Sequence, residues 1–351
     1  MPLSLRKLAR QTKHTALAGL RSAGGFERLA GSSWRRGRLL ILCYHGVSIH
    51  DEHEWDPALF ETPACRRRRS ENQRDSGYQV HYQVEAVSRL YAGTLPERSV
   101  VLTFDDGLHD FLAKAVPLLE EFGFPATNYV ASYYVVNQRP LLNITLQYAL
   151  WHARGRVIEA GTFDGQQSDV TLSDPAERKA LYDLLFKHSE TLADDREQQL
   201  EWLGAVVTRL GVDWQGILDK RMFHLMSPEE LAETARRGFD LQLHTHRHQS
   251  PREEALFLDE LRENRRILEE CTGATANHFC YPIGENDPAF LPWLKELGVE
   301  TATTCVADLA RPDHDPLLLP RFTDTMGQSE LVFESWLAGA GAMLTRSRAA
   351  S

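Results

Sequence analysis

The stretch Ser99–Gly107, SVVLTFDDG, decides the fold class. SVVLTF is a short apolar run rich in strand-forming residues, and Asp105, Asp106 and Gly107 end it with turn formers. Two acids at the C-terminal end of such a strand lie where parallel α/β folds and barrels place their active sites. Adjacent carboxylates repel each other, so their pairing usually needs a cation or a raised pKa. Taken alone, a strand-ending turn without function is an equally good interpretation.

Strand and helix patterns alternate on both sides of this stretch. Residues 39–45 (LLILCYH) predict a buried first strand, residues 108–123 predict a helix that Gly123 closes, and residues 125–131 predict another strand. The alternation resumes with a capped helix start at Ser227. It continues with strands in FDLQLH, HFCYPI, TATTCV and 317–322, and with helices over about 251–272 and near 291–297. These βα units indicate a parallel sheet.

Three segments depart from the alternation. Residues 141–220 are rich in Leu, Ala, Glu, Gln and Arg at helical spacing, which predicts an insertion of several helices with almost no strand signal. Residues 1–38 hold nine Lys or Arg and one acid, a charge of +8 against −18 for the rest, and predict a basic amphipathic arm. Residues 326–351 predict a C-terminal helix and tail. We therefore expect one α/β domain over 39–325, interrupted by the insertion.

Three histidines lie within five residues at the end of the predicted strand FDLQLH, as His244-Thr245-His246-Arg247-His248. Imidazole is the commonest metal ligand, and a pair four residues apart can place two rings on one cation. One carboxylate with two imidazoles leaves a coordination position open for water, as in catalytic zinc sites. An exposed polar loop is the alternative interpretation of the cluster.

Three motifs occur in a fixed order, each after a predicted strand: TFDDG (103–107), HTHRH (244–248) and CYPIG (280–284). Together they resemble the polysaccharide deacetylases, the NodB-homology group or carbohydrate esterase family 4, over about residues 39–136 and 222–325. The resemblance implies a distorted (β/α) barrel with fewer than eight strands.

The resemblance also implies a role for each matching residue. It makes Asp106, His244 and His248 the ligands of a divalent metal, Zn²⁺ in the first place with Co²⁺ or Ni²⁺ as substitutes. It makes Asp105 the general base. The backbone N–H of Tyr281 would help to hold the oxyanion.

Two departures from the family pattern change the expected site. Many members carry a catalytic acid in a C-terminal Leu-x-x-His motif, which this chain lacks. The subset that deacetylates poly-N-acetylglucosamine has a histidine on an early strand instead, and LCYHGVS fits that arrangement, so we expect His45 as the acid. Cys280 stands where an arginine usually supports the base, and Arg321 is the expected replacement.

These roles predict a metal-dependent hydrolase that removes the N-acetyl group of an amino sugar in a polysaccharide or glycan precursor and releases acetate. An O-acetyl esterase, a hydrolase of another amide and a non-catalytic carbohydrate-binding homologue are the alternatives. The insertion is either an interaction module or a lid over the sugar groove. Its tryptophans, Trp151, Trp202 and Trp214, either stack on sugar rings or belong to the core.

Bulk properties limit partners and location. A net charge of −10 argues against nucleic acid as a partner. The family resemblance implies an N-acetylated glycan as the partner. Five irregularly spaced cysteines predict reduced thiols. We predict no signal peptide or membrane span, and a cytoplasmic location. The arm either contacts the anionic inner membrane face or is solvated. The four arginines at 66–69 predict a solvated face.

Overall fold

The computed structural model describes residues 3–346, with the side chains of residues 11–345. Within this range the strands are β1 (Leu40–Tyr44), β2 (Gly46–Val47), β3 (Phe60–Glu61), β4 (Gln79–His81), β5 (Ser99–Phe104), β6 (Thr127–Val130), β7 (Val157–Ile158), β8 (Val170–Thr171), β9 (Asp240–Leu243), β10 (His278–Cys280), β11 (Thr301–Thr303) and β12 (Phe322–Thr323).

The helices pack around these strands. They are α1 (Leu3–Ser22), α2 (Gly25–Ala30), α3 (Glu52–Trp55), α4 (Pro63–Asp75), α5 (Gln83–Tyr91), α6 (Val116–Phe122), α7 (Tyr133–Val136), α8 (Leu142–His152), α9 (Pro175–Glu190), α10 (Arg196–Arg209), α11 (Trp214–Asp219), α12 (Pro228–Arg236), α13 (Glu254–Thr272), α14 (Phe290–Glu296), α15 (Glu330–Ala338) and α16 (Ala340–Arg346).

Seven parallel strands form the main sheet in the order β11-β10-β9-β6-β5-β1-β12, and β4 pairs with the first half of β5. A short link joins the two ends of the sheet: Leu319 bridges Thr303 of β11, and Phe322 pairs with Leu42 of β1. The predicted distorted barrel with fewer than eight strands in its wall is confirmed. All residues of β1 and β5 are buried, as expected for parallel strands covered on both faces.

Two predicted elements differ in detail because of proline. The helix after Gly107 begins as a π-helical turn over Phe111–Ala115. Pro117 has no N–H to donate to the carbonyl of Ala113, which explains the departure from α geometry. The strand predicted over 317–322 is instead a 3₁₀ turn, Pro316–Leu318, followed by β12. Pro316 and Pro320 prevent a regular strand between them.

The insertion leaves the sheet intact, because β6 and β9, which flank it in sequence, pair directly. It contains α8, α9, α10 and α11, together with a small antiparallel hairpin of β7 and β8 that was not predicted. Its three tryptophans are partly buried and pack against the main core: Trp151, Trp202 and Trp214.

The described parts of the two termini contact each other. Leu17 of α1 and Phe26 of α2 share an apolar cluster with α15, and Arg21 forms an ion pair of 2.7 Å with Glu334. The arm's predicted basic face also includes Arg6, Lys7 and Arg10, and the predicted tail includes residues 347–351; both lie outside the described side chains. No helix within residues 3–346 is both long and apolar enough to cross a membrane.

The arginine run at 66–69 corrects an expectation. It lies on α4, where Arg67 and Arg68 face outward but Arg66 and Arg69 are buried. Arg69 forms a two-point ion pair with Asp324 at 2.9 and 3.2 Å. The prediction of a solvated face was wrong for half of the run, because helical spacing of three residues turns both buried arginines toward the sheet.

Candidate active site

The loops that follow β5, β9 and β10 meet at the carboxyl edge of the barrel and carry strained backbone. Asp106, Thr245, His248 and Ile283 all have positive φ, which is uncommon for residues other than glycine. Such conformations cluster at functional sites. Gly107 has a φ of +83°, and a Cβ there would lie 2.6 Å from a methyl carbon of Val130, so the turn after Asp106 requires glycine.

Asp106, His244 and His248 converge on one point. The Nε2 atoms of His244 and His248 lie 3.4 and 3.2 Å from the same oxygen, Oδ1 of Asp106. Ligands bound tetrahedrally at Zn²⁺ distances of about 2.0–2.1 Å lie about 3.3 Å from one another. The three residues therefore fit a small divalent cation both in donor type and in spacing.

The backbone fixes the ring orientation of His244. Its Nδ1 donates to the carbonyl oxygen of Cys280 at 2.8 Å, which leaves Nε2 free to face Asp106. A hydrogen bond of this kind sets the tautomer of a metal-binding histidine. Burial alone would raise the pKa of Asp106, but hydrogen bonds from His244 and His248 hold this pKa well below its usual range.

His246, the middle histidine of the cluster, faces away from this point. Its Nδ1 lies 3.0 Å from Oγ of Ser132, and its ring packs edge-on against Tyr133. Burial lowers the pKa of His246. The structure thus separates two rings that face Asp106 from one that braces the loop, as the four-residue spacing suggested.

Arg321 holds Asp105 by two hydrogen bonds. Nη1 and Nη2 of Arg321 each lie 2.8 Å from one carboxylate oxygen, and Nη1 also donates to Oγ1 of Thr103 at 3.0 Å. Burial raises the pKa of Asp105, but the charge and hydrogen bonds of Arg321 outweigh it and hold this pKa well below the usual range. The guanidinium reaches the carboxylate past Cys280, whose Sγ is 2.9 Å from Nη2.

Two thiols that sequence reasoning did not assign also contact Asp105. Sγ of Cys43 and Sγ of Cys280 each lie 3.5 Å from Oδ2. Burial raises the pKa of both thiols well above the usual value, so both are protonated donors. The alternation of side chains along β1 could have indicated Cys43. It lies two residues before His45, so both side chains belong to the same face of the strand, which faces Asp105.

His45 lies beside the same carboxylate. A ring nitrogen of His45, Sγ of Cys43 and a carboxylate oxygen of Asp105 all lie within 4.8 Å of one another. The ring is half-buried, and its Nδ1 is buried without a hydrogen-bond partner. The structure therefore brings the predicted acid next to the predicted base.

Tyr281 is placed differently from the other predicted residues. Its backbone N–H donates to the carbonyl oxygen of Thr303 at 3.2 Å, and its buried hydroxyl donates to the carbonyl of Leu317 at 3.0 Å. In this conformation the N–H is engaged between strands. Its predicted part in holding an oxyanion stays a prediction.

The fold and site define a class: a parallel barrel with a carboxylate–imidazole cluster and an arginine-held aspartate at the carboxyl ends of its strands. The polysaccharide deacetylase family profile matches residues 92–302, which is more than half of the chain. This chain belongs to the polysaccharide deacetylase family.

Curated relatives match parts of the chain. The Bacillus subtilis (strain 168) protein YxkH, whose name places it among the polysaccharide deacetylases, is 28% identical over 171 residues, 46% of this chain and 58% of its own length. The poly-β-1,6-N-acetyl-D-glucosamine N-deacetylase of Escherichia coli (strain K12) is 30% identical over 100 residues, 28% of this chain and 14% of its own length. The chain therefore spans less than two thirds of either relative.

Solved structures share the fold across most of the chain. The deacetylase PplD of Streptococcus pyogenes, solved with acetate, gives a TM-score of 0.56 at 17% identity, covering 86% of this chain and 97% of that one. IcaB from Ammonifex degensii gives a TM-score of 0.55 at 18% identity, covering 87% and 97%. At these identities the likeness concerns the fold.

Proposed function

We propose that this protein is a metal-dependent deacetylase that hydrolyses the N-acetyl group of an amino sugar in a polysaccharide or glycan precursor and releases acetate. One observation carries the proposal. Asp106, His244 and His248 bring three ligand atoms to metal-site spacing directly beside Asp105, which Arg321 holds in a fixed orientation. Family membership and the name of the Escherichia coli relative support the choice of an N-acetylated glycan.

The metal would be held by Asp106, His244 and His248, with Zn²⁺ first and Co²⁺ or Ni²⁺ as substitutes. When bound, a divalent ion supplies Lewis acidity toward water and the acetyl carbonyl. Asp105 accepts the proton of the attacking water, and Arg321 keeps the carboxylate in place while it does so. His45 donates a proton to the departing amine.

The two thiols and Arg321 around Asp105 orient its carboxylate. Arg321 occupies both carboxylate oxygens, and the two thiols add donors to one of them. A carboxylate held this way has one rotamer, so its distance to the neighbouring metal ligands is set before substrate binds. The N–H of Tyr281 would join this arrangement as an oxyanion donor once it releases the carbonyl of Thr303.

An acetate-release assay tests the proposal. N-acetylated and O-acetylated glucosamine oligomers are incubated with the full chain after chelation and after re-addition of Zn²⁺ or Co²⁺. We expect acetate from the N-acetylated oligomers, loss on chelation and recovery with metal. Acetate from the O-acetylated oligomers alone, or none from either set with metal present, would contradict the proposal.

The location predicted from the arm also stays a proposal: residues 1–38 contact an anionic membrane surface on the cytoplasmic side. Co-sedimentation with vesicles of anionic and of neutral lipid tests it. We expect binding to the anionic vesicles that falls with added salt. Equal recovery with both vesicle types would contradict it.

A further inference from the structure

A cavity of about 510 Å³ opens from the metal-ligand cluster toward the insertion. Asp106 and His248 line it together with Tyr182 and Phe186 of α9. The insertion thus contributes a wall to the space in which a substrate of this site would lie. A volume of this size is within the range of about 300–1,000 Å³ that ligand pockets occupy.

The wall on the insertion side is aromatic. Tyr182 and Phe186 are four residues apart on α9 and stack with ring centroids 5.7 Å apart and planes 24° apart. Leu181 and Leu185 of the same helix are buried in the core, whereas both rings stay partly exposed. Tyr182 also packs against the main core, and both rings line the cavity.

Aromatic residues of the barrel line the same cavity. Tyr133 and Tyr134 pack edge to face with centroids 5.0 Å apart. Arg139 lies 5.5 Å above the Tyr134 ring, and Gln199 and Glu190 add polar groups to the lining. Flat apolar rings bordered by hydrogen-bonding groups match the chemistry of a sugar, which has C–H faces and a rim of hydroxyls.

A second groove of about 460 Å³ lies beside the first, and Tyr182 lines both spaces. Trp55 and Trp151 line the second groove. Aromatic side chains of the insertion therefore border both spaces.

We propose that the insertion forms binding subsites for the sugar units next to the one that is deacetylated, with Tyr182 and Phe186 as specificity-determining residues. The two rings of α9 would thereby contact sugar units beside the one whose acetyl group is removed. This inference rests on the proposed function. It assigns to residues 141–220 a role in selecting chain length.

The test measures kcat and KM for N-acetylglucosamine and its oligomers of increasing length, with metal present. We expect the loss of one ring to weaken affinity by up to about tenfold, the size of a single aromatic contact. We expect kcat/KM to rise with length in the native protein. Tyr182→Ala and Phe186→Ala should each lower it for long oligomers by up to about tenfold more than for the monosaccharide, mainly through KM.

Two control variants separate stacking from damage to the fold. Tyr182→Phe keeps the ring and should keep the length dependence. Lys187→Ala changes an exposed residue on the same helix that does not line either space, and should leave every kinetic constant unchanged. Thermal unfolding of all variants identifies any that fail to fold.

The outcomes distinguish the two proposals. Acetate release that does not depend on length, or a length dependence that survives both alanine variants, would overturn the subsite inference and leave the deacetylase proposal standing. If no sugar releases acetate, the proposed function fails, and calorimetric binding of the longest oligomer decides the inference on its own. Equal binding by native protein, Tyr182→Ala and Phe186→Ala would then overturn it.

Discussion

Asp105 and Arg321 form the pair on which the site depends at the scale of single residues. Both side chains are buried, and the guanidinium satisfies both carboxylate oxygens. The planar fork of arginine suits this contact in a way that a lysine ammonium does not. Arg321 is buried and contacts Asp105, Thr103 and Cys280, so under the proposed function it would orient the base rather than touch substrate.

Arg321→Lys keeps the charge but loses the two-point contact with Asp105. We expect kcat for acetate release to fall about 100-fold, since small displacements of a catalytic group have effects of this size. The metal content of the variant, measured by elemental mass spectrometry, should stay at one ion per chain. A variant with native kcat would show that the orientation of Asp105 is not limiting.

Asparagine variants distinguish the histidines. An asparagine amide can replace the Nδ1 hydrogen bond of His244 to Cys280 or that of His246 to Ser132, but it cannot replace Nε2. We expect His244→Asn to lose bound metal. His246→Asn should keep one ion per chain and lose about 1 kcal/mol of unfolding free energy, because the edge-on ring contact with Tyr133 is lost. Loss of metal from His246→Asn with retention in His244→Asn would reverse the assignment.

At the scale of elements, α4 anchors the segment that carries Arg321. Asp324 lies three residues after Arg321, accepts two hydrogen bonds from Arg69, and donates its backbone N–H to Cys43 at 3.1 Å. Tyr44 also donates to Asp324 at 3.2 Å. Arg69 therefore connects α4 to the loop after β12, and Asp324 connects that loop to β1, the strand beside β5.

Arg69→Met leaves the Asp324 carboxylate buried without its main partner. We expect the free energy of unfolding, measured with urea, to fall by about 3–5 kcal/mol. Arg68→Met is the matched control on the same helix, because Arg68 is exposed, and its effect should stay within about 0.5 kcal/mol. Equal effects of the two substitutions would contradict the anchoring role.

The start of α12 predicts a pH dependence of stability. Burial raises the pKa of Glu230, but hydrogen bonds from His109, the Ser227 backbone and Arg221 outweigh it and lower the pKa to about 2. Because the folded pKa lies below the unfolded one, Glu230 stabilises the fold above about pH 4.5. This contribution is lost as the pH falls toward 2.

Glu230→Gln should remove that dependence. Urea unfolding at pH 6 and at pH 3 measures it, and we expect the native protein to lose about 1–2 kcal/mol more than the variant over this interval. Parallel losses in both proteins would show that the carboxylate of Glu230 does not carry the effect.

For the whole molecule, local sequence patterns predicted the parts of the fold and site that depend on local order. Asp106, His244 and His248 each follow a buried strand, and parallel strands bring such residues to one edge. Contacts between residues far apart in the sequence were harder to predict. Arg69 and its partner Asp324 are 255 residues apart. Cys43 and Cys280 contact the same oxygen of Asp105 only because β1 and β10 both face this residue.

The insertion shows the same limit. Its helices are predicted by residue spacing, but the presence of Tyr182 and Phe186 in the same cavity as Asp106 follows from how α9 packs on the barrel. Helical spacing alone treats such rings as core residues. Arg321 is predicted as a partner of Asp105 only because the family pattern lacks its supporting arginine at Cys280.

The central claim is that metal binding and proton transfer are divided between Asp106 and Asp105. The most direct measurement determines bound zinc and the rate of acetate release for the native protein, Asp105→Asn and His248→Ala side by side. We predict that Asp105→Asn keeps one ion per chain and loses turnover, whereas His248→Ala loses both. Full turnover by metal-free protein, or by Asp105→Asn, would contradict the claim.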